Sequence, residues 1–365
     1  MSESTQLLAW YDQIKRDLPW RNTKDPYAIW VSEIMLQQTR VETVKTYYRR
    51  FLCTFPTLHD LANAQEEEVL ACWAGLGYYS RARNMQKAAQ MIVQTYAGQF
   101  PSYYTAIHTL PGIGDYTAGA IASIAFGERV PAIDGNVNRV LTRFFAILAP
   151  IEKPSTKKEI HQQALTLLPH KRVGDFNQAL MELGATLCSK QNPRCSACPW
   201  CGSCQAYALD IMNTLPNHKP KRPPTVIPLA VCLLTYQNQI LVVKRSESLL
   251  AGLYVFWLVE NELVPENLVH RLRQQGLPIT TLHTLSTARH IFTHRVWDMT
   301  IFHGLLIEKP SDTFLQACDA TLVHDFHALP FPTAMKAAKE IAEDILQCDC
   351  SFPVSSEKTI ENHLN

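Results

Sequence analysis

The chain has 365 residues, 34 Lys and Arg against 33 Asp and Glu, and the apolar content of a soluble globular protein, so two domains with real cores are expected. No run approaches the roughly 18 apolar residues of a membrane span, Met1–Trp10 lacks a basic segment followed by an apolar one, and a cytoplasmic protein without a membrane partner is expected. Eleven cysteines without a secretion signal read as thiols and metal ligands, which excludes a disulfide framework.

Helical periodicity dominates the first part of the chain. It predicts helices over Thr5–Leu18, Tyr27–Leu36, Val41–Phe55, Gln65–Ala74, Arg81–Tyr96, Tyr103–Thr109, Thr117–Phe126, Val137–Leu148, Lys157–Leu168 and Gly174–Leu187. Thr39-Arg40-Val41-Glu42 fits a capping box, so Gln37-Gln38-Thr39 should break two helices apart. Leu110-Pro-Gly-Ile-Gly-Asp-Tyr-Thr-Ala-Gly119 lies between helical stretches. Its glycines permit a tight turn presenting backbone N–H groups, which suits a phosphate; close helix packing is the other reading.

Two carboxylates stand out. Glu33 sits in the apolar run Trp30–Leu36, where burial would raise its pKa toward that of a useful acid, unless a partner satisfies it. Asp134, in Ile133-Asp-Gly-Asn-Val137, stands where a helix N-cap is wanted, and capping is the commoner role for such an Asp.

Cys188, Cys195, Cys198 and Cys204 follow as C-x6-C-x2-C-x5-C. So short a loop cannot bury its own apolar surface, and a metal centre would hold it. The spacing favours a four-cysteine 4Fe-4S cluster over zinc, which usually takes two short cysteine pairs across a longer spacer; unligated cysteines are the third reading. Cys201 is expected to be a bystander.

Residues 215–228, with five prolines, cannot continue a helix or enter a central strand and read as a linker. This divides the chain into domains at 1–214 and 229–347, with a mobile tail expected over 348–365. Up to Arg222 there are 24 Lys and Arg against 18 Asp and Glu, a net +6; the rest is −5. The first part is the better partner for a polyanion, although solvated charged faces would give the same balance. Beyond the linker, alternating runs predict strands over Leu229–Tyr236, Gln239–Lys244, Tyr254–Val259, Thr284–Phe292 and Arg295–Leu306, with helices over Pro265–Gln275 and Ala334–Gln347. The expected fold is a mostly α N-terminal domain followed by an α+β domain.

Leu18-Pro-Trp-Arg21, Ser32-Glu-Ile-Met-Leu-Gln-Gln-Thr39, Gly75-Leu-Gly-Tyr-Tyr-Ser-Arg-Ala-Arg-Asn84, the glycine-rich hairpin, Asp134-Gly-Asn-Val137 and the four-cysteine loop occur in this order. Together they resemble the A/G-mismatch adenine DNA glycosylases of the helix-hairpin-helix superfamily, over essentially residues 5 to 345. The resemblance implies an enzyme that excises adenine opposite 8-oxoguanine or guanine in double-stranded DNA, and it carries the cluster with it; a monomer on DNA is the simplest expectation. Glu33 would protonate adenine N7, Asp134 would stabilise the sugar C1′, Tyr116 would lie beside that sugar and Asn136 would support the carboxylates. Trp20, Arg21, Leu36 and Glu182 would wall the adenine pocket. Gln37 and Tyr78 would wedge into the duplex, with Gln38 and Thr39 in the same DNA-contacting run, and the amides of Gly112 and Gly114 would hold phosphate. Bifunctional relatives carry Lys where this chain has Tyr116, so an abasic product without strand cleavage is expected.

The second domain resembles the degenerate Nudix-like module of that family, whose Phe-Ser-His lesion-reading loop appears here as Phe292-Thr293-His294. No metal-binding glutamate helix follows Gly252-Leu253-Tyr254, so pyrophosphohydrolase activity is not expected. Competing readings are a pyrimidine-specific glycosylase or lyase of the same fold, a catalytically silent cluster protein that binds DNA, and a nucleotide hydrolase. Protein partners are not legible.

Overall fold

The computed structural model describes residues 1–220, 223–247, 249–327 and 329–347. The chain divides into two compact units, Met1–Arg222 and Pro223–Asn365; the tail expected to be mobile lies outside the described residues.

The first unit is helical: α1 Glu3–Ile14, α2 Pro26–Leu36, α3 Val41–Thr54, α4 Leu58–Asn63, α5 Glu66–Trp73, α6 Ser80–Thr95, α7 Tyr104–Ile107, α8 Asp115–Phe126, α9 Gly135–Phe144, α10 Pro154–Leu167, α11 Val173–Thr186 and α12 Gln205–Ala208. The ten predicted helices are all present, with ends shifted by a few residues. The additional α4 and α12, of six and four residues, are too short to show a period. Burial explains why α2 has no polar face: every residue from Tyr27 to Met35 is buried, as expected for a helix packed on all sides. Elsewhere helices approach through glycines. A Cβ on Gly174 of α11 would lie 2.7 Å from Ile124 Cα of α8, and one on Gly184 would lie 2.6 Å from Asn136 Cβ.

The capping box at Thr39 is not formed. Arg40 is the N-cap of α3, without a side-chain cap bond, and the Thr39 hydroxyl donates to the Gln37 carbonyl instead. Gln38 turns the chain at φ +58°, so the expected break between α2 and α3 comes from backbone geometry. Thr39 is thereby rotated away from the α3 amides.

The second unit is a seven-stranded mixed sheet: β1 Thr225–Tyr236, β2 Gln239–Lys244, β3 Tyr254–Val255, β4 Trp257–Glu260, β5 His283–Ile291, β6 Arg295–Leu305 and β7 Ala320–Val323. Helices α13 Pro265–Gln274, α14 Asp312–Ala317 and α15 Lys336–Gln347 complete it. β1 runs parallel to β6, from Thr225↔Arg295 to Thr235↔Leu305, and antiparallel to β4 and β2. Its alternate residues face opposite cores: Leu229, Val231 and Leu233 join Ala338 and Ala342 of α15, while Ala230, Cys232 and Leu234 join Leu268 and Leu272 of α13. That is the α+β architecture expected, with a layer on each face.

Three expectations change here. The run Tyr254–Val259 is two short strands interrupted at Phe256, whose buried ring packs against Phe331 at 5.2 Å. The segment Ala320–Val323 adds a strand to β2 although four residues are too few to alternate legibly. β1 begins inside the stretch read as linker and carries Pro228 within a central strand. The Pro228 carbonyl accepts from the Asn261 N–H at 2.8 Å, just past the end of β4, so the missing proline N–H costs no ladder bond there.

Candidate functional site: a cleft with two buried carboxyls

The first unit contains a cleft of about 1130 Å3, lined from α2, α8, α9 and α11. Trp20, Arg21, Glu33, Leu36, Gln37, Gln38, Thr39, Gly114, Tyr116, Asp134, Asn136 and Glu182 all line it, although they come from five separate stretches of sequence. Tyr78 and Gly112 do not, and the cysteines line a separate cavity.

Glu33 is buried near the end of α2. Burial raises its pKa to about 7; the Tyr116 hydroxyl, which donates to Oε2, and the charge of Arg21 oppose this, and the nearby charge of Asp134 adds to it. Tyr116 itself stays neutral, since burial and the adjacent carboxylates push its phenol well above its ordinary value.

Asp134 is the N-cap of α9, as its position in the sequence suggests. Oδ1 accepts from the Val137 N–H at 2.7 Å and Oδ2 from Asn136 Nδ2 at 2.9 Å. Burial raises its pKa, and those donors and Arg139 offset the rise only in part. The two carboxyls therefore differ in kind: Glu33 has one donor in an apolar surround, and Asp134 has a set of donors that favour its anion.

Glu182 is the third buried carboxyl. Burial would raise its pKa, but two arginines outweigh that and hold it below its ordinary value. Arg16 grips it with Nε at 2.6 Å and Nη2 at 2.8 Å, and Arg21 adds Nη2 at 2.6 Å. Three acceptor positions are used out of about four, and the side chain has no exposed surface in this structure. Trp20, in a 3-10 turn over Pro19–Arg21, packs edge-on against Tyr48 at 5.5 Å.

The hairpin between α7 and α8 leaves Gly112 and Gly114 exposed. Gly112 has φ +75° and a Cβ there would lie 2.5 Å from Asn84 Cβ, so only glycine fits. Tyr78 is 51% exposed at φ +50°, with its ring 5.6 Å from the Arg81 guanidinium. In the second unit, Phe292 packs on Trp297 at 4.9 Å and on His290 at 4.6 Å. Its N–H donates to the Arg295 carbonyl at 2.8 Å, which leaves Thr293 and His294 exposed at the tip between β5 and β6.

Cys188, Cys195, Cys198 and Cys204 line one largely apolar cavity, with Cys201 also on its wall. Burial raises the pKa values of Cys195, Cys198 and Cys204, and the mutual charge of the thiols adds to it. Among the described residues no group of three or more His, Cys, Asp or Glu side chains is placed so that it could hold a metal ion. Arg143 supplies a fit of charge: buried at 2% exposure, it donates to the carbonyls of Leu215, Ser189 and Lys190 and, at 3.3 Å, to Cys188 Sγ. No carboxylate among the described residues neutralises it, so an anionic thiolate centre matches the charge it leaves over.

The sequence reading missed Arg16, Arg81, Arg139 and Arg143. Arg139 joins the two sites, donating to Asn136 Oδ1 at 2.9 Å and to the Cys188 carbonyl at 2.8 Å. Each of the four lies in a helical or polar stretch where an arginine reads as a solvated charge.

Residues 31–170 match the family described as the HhH-GPD superfamily of base excision DNA repair proteins, and residues 230–340 match a NUDIX domain. The human protein named adenine DNA glycosylase is 38% identical, covering 90% of this chain and 72% of its own length. The mouse protein of that name is also 38% identical, covering 93% and 78%. Among solved structures, a thermostable thymine-DNA glycosylase is 30% identical at a TM-score of 0.52, but covers 56% of this chain and 95% of its own.

Proposed function

Because the chain belongs to the adenine DNA glycosylases, within the HhH-GPD superfamily of base excision DNA repair proteins, we propose that it excises adenine paired with 8-oxoguanine or guanine in double-stranded DNA and leaves an abasic site. It is a DNA repair N-glycosylase whose similarity to adenine-specific relatives spans both units, which a pyrimidine-specific glycosylase of this fold would not require. The observation that carries the chemistry is the pairing, across one cleft, of a protonatable buried Glu33 with an Asp134 whose donors favour the anion.

Adenine leaves poorly as an anion, so protonation at N7 by Glu33 lowers the barrier as the bond from N9 to C1′ breaks and its electron pair moves onto the base. The positive charge developing on the sugar faces the Asp134 carboxylate, which stabilises it or bonds to C1′ transiently. Glu33, then ionised, accepts a proton from the water that completes hydrolysis. Asn136 holds Asp134 in place, and Tyr116 orients Glu33 and supplies no amine, so strand cleavage is not expected. Trp20 and Leu36 flank the base. The fourth acceptor position of Glu182, fixed by Arg16 and Arg21, suits the exocyclic amino group of adenine and repels the carbonyl that guanine carries there.

The base must leave the stack to reach the cleft. Gln37 and Tyr78 fill its place, Gln38 and Thr39 follow the strand, and the exposed amides of Gly112 and Gly114 hold phosphate. The exposed Thr293 and His294, on the anchored Phe292, read 8-oxoguanine in the opposite strand; Thr keeps a hydroxyl there. The protein acts as a monomer on chromosomal DNA in a bacterial-type cytoplasm.

Cys188, Cys195, Cys198 and Cys204 would hold a 4Fe-4S cluster, which when bound supplies the cross-link that this short loop lacks. Replacing any of the four with Ser is expected to remove iron, sulfide and visible absorption together, whereas Cys201→Ser retains them. Equal loss in all five variants would show that Cys201 is a ligand and the assignment wrong. The function is tested by single-turnover release from duplexes with adenine opposite 8-oxoguanine or thymine, and with cytosine opposite 8-oxoguanine, with and without hot alkali. Breaks in the first adenine strand alone, and only after alkali, are expected; breaks without alkali would mean a lyase, and none at all a silent DNA-binding protein.

A further inference from the structure

We propose that Arg81 is a positioning residue, a clamp that presets the end of α2 and the Tyr78 turn as one rigid probe for separating adenine from its stack. The proposal rests on the adenine-excision reading above. Arg81 lies in the first turn of α6, and its guanidinium donates only to backbone. Nη1 reaches the carbonyls of Ile34 at 2.8 Å, Met35 at 3.3 Å and Gln37 at 2.6 Å. Nη2 reaches those of Leu76 and Gly77, both at 3.1 Å. The rings of Trp73 and Tyr78 flank it at 5.3 and 5.6 Å.

Carbonyls in the last turn of a helix have no partner within it, and a cation suits that end. Here one side chain satisfies three carbonyls at the end of α2 and ties them to a turn 40 residues later in the chain. Both tied segments hold conformations that cost energy. Gln38 is at φ +58° and Tyr78 at φ +50°, and side chains stay in such conformations only where their surroundings over-determine them. Gln38 and Tyr78 are both exposed, and Glu33 immediately precedes the first of the clamped carbonyls, that of Ile34. A loose clamp would blur the projecting residues and the helix end that carries the acid.

A lysine cannot substitute. Its ammonium is a point charge and does not span both segments, whereas the planar guanidinium does. If Arg81 served only to attract DNA by charge, Arg81→Lys would be silent. The experiment measures single-turnover adenine release per active site for Arg81→Lys on two duplexes, one with adenine opposite 8-oxoguanine and one with adenine opposite an abasic analogue, where it has no pairing partner to leave. Fluorescence of 2-aminopurine beside the target reports unstacking. The clamp predicts a loss of about tenfold or more on the paired duplex, with weakened unstacking, and less than about twofold on the unpaired one. A variant that is merely less stable loses active sites, which the normalisation removes, and so shows no such split. Equal losses on both duplexes, or no loss on the paired one, would overturn the proposal. If Arg81→Lys does not fold, Gly77→Ala strains the same turn at φ +70° without meeting any atom, and the same split is expected. Wild-type protein that releases adenine from neither duplex would overturn the excision reading, and this proposal with it.

Discussion

Glu33→Gln is expected to reduce adenine release by about 10³- to 10⁴-fold, the upper part of what a positioned acid contributes, while leaving binding to mismatched DNA intact. The substitution keeps shape, and the amide oxygen still accepts from Tyr116, but the amide has no proton to give to N7. The same residue sets the pH dependence. Its folded pKa of about 7 lies above that of the unfolded chain, so the folded state binds the proton more tightly. The group therefore favours folding below the unfolded value near 4.5, and that advantage is lost as pH rises, fully so above about 7. Excision should fall roughly tenfold per unit of pH once Glu33 ionises. Because the glutamine variant carries no charge at position 33, its N-terminal unit should be the more stable one at pH 8, by up to about 3 kcal/mol, and no more stable below pH 4. Denaturant unfolding at the two pH values, with single-turnover kinetics across the range, checks both. Excision retained by Glu33→Gln would remove Glu33 as the acid.

That Glu33 would be buried was legible, because the sequence around it leaves no polar face on which to expose it. Asp134 was legible as a cap, since an Asp before Gly-Asn-Val at the start of a periodic stretch has few other uses. What each does beyond that came from the resemblance, for nothing in the spacing of residues 33, 116 and 134 places them together. The illegible parts share a cause. Arg16, Arg81 and Arg139 act on groups 166, 47 and 49 residues away, and four of the carbonyl acceptors of Arg81 belong to apolar residues or glycine. Pairings of that kind depend on tertiary approach and leave no local pattern. The short α14 and β7 escaped for want of length, and the false capping box at Thr39 shows the opposite error, a sound local pattern overruled when Gln38 turned the backbone.

Asp134→Asn should keep the fold and lose about 10²- to 10³-fold in excision, the scale of removing one preorganised electrostatic partner. Asn caps a helix about as well as Asp, so its Oδ1 can still accept from the Val137 N–H. The other atom changes sign. Where Oδ2 accepts from Asn136 Nδ2, the variant presents an NH2 group, and two donors face each other. Asn136 cannot relieve this by turning over its amide, because its Oδ1 already accepts from Arg139, which also holds the Cys188 and Gly184 carbonyls. The substitution therefore removes the negative charge facing C1′ and also strains the relay behind it. Asn136→Asp in the same chain restores an acceptor opposite the new donor, so the double variant should recover the thermal stability lost by Asp134→Asn. It should not recover the rate, since the restored charge sits one position removed from the sugar. Calorimetry and single-turnover release on the three variants separate the two effects. Recovery of the rate in the double variant would show that the relay, and not the charge at Asp134, is what excision needs.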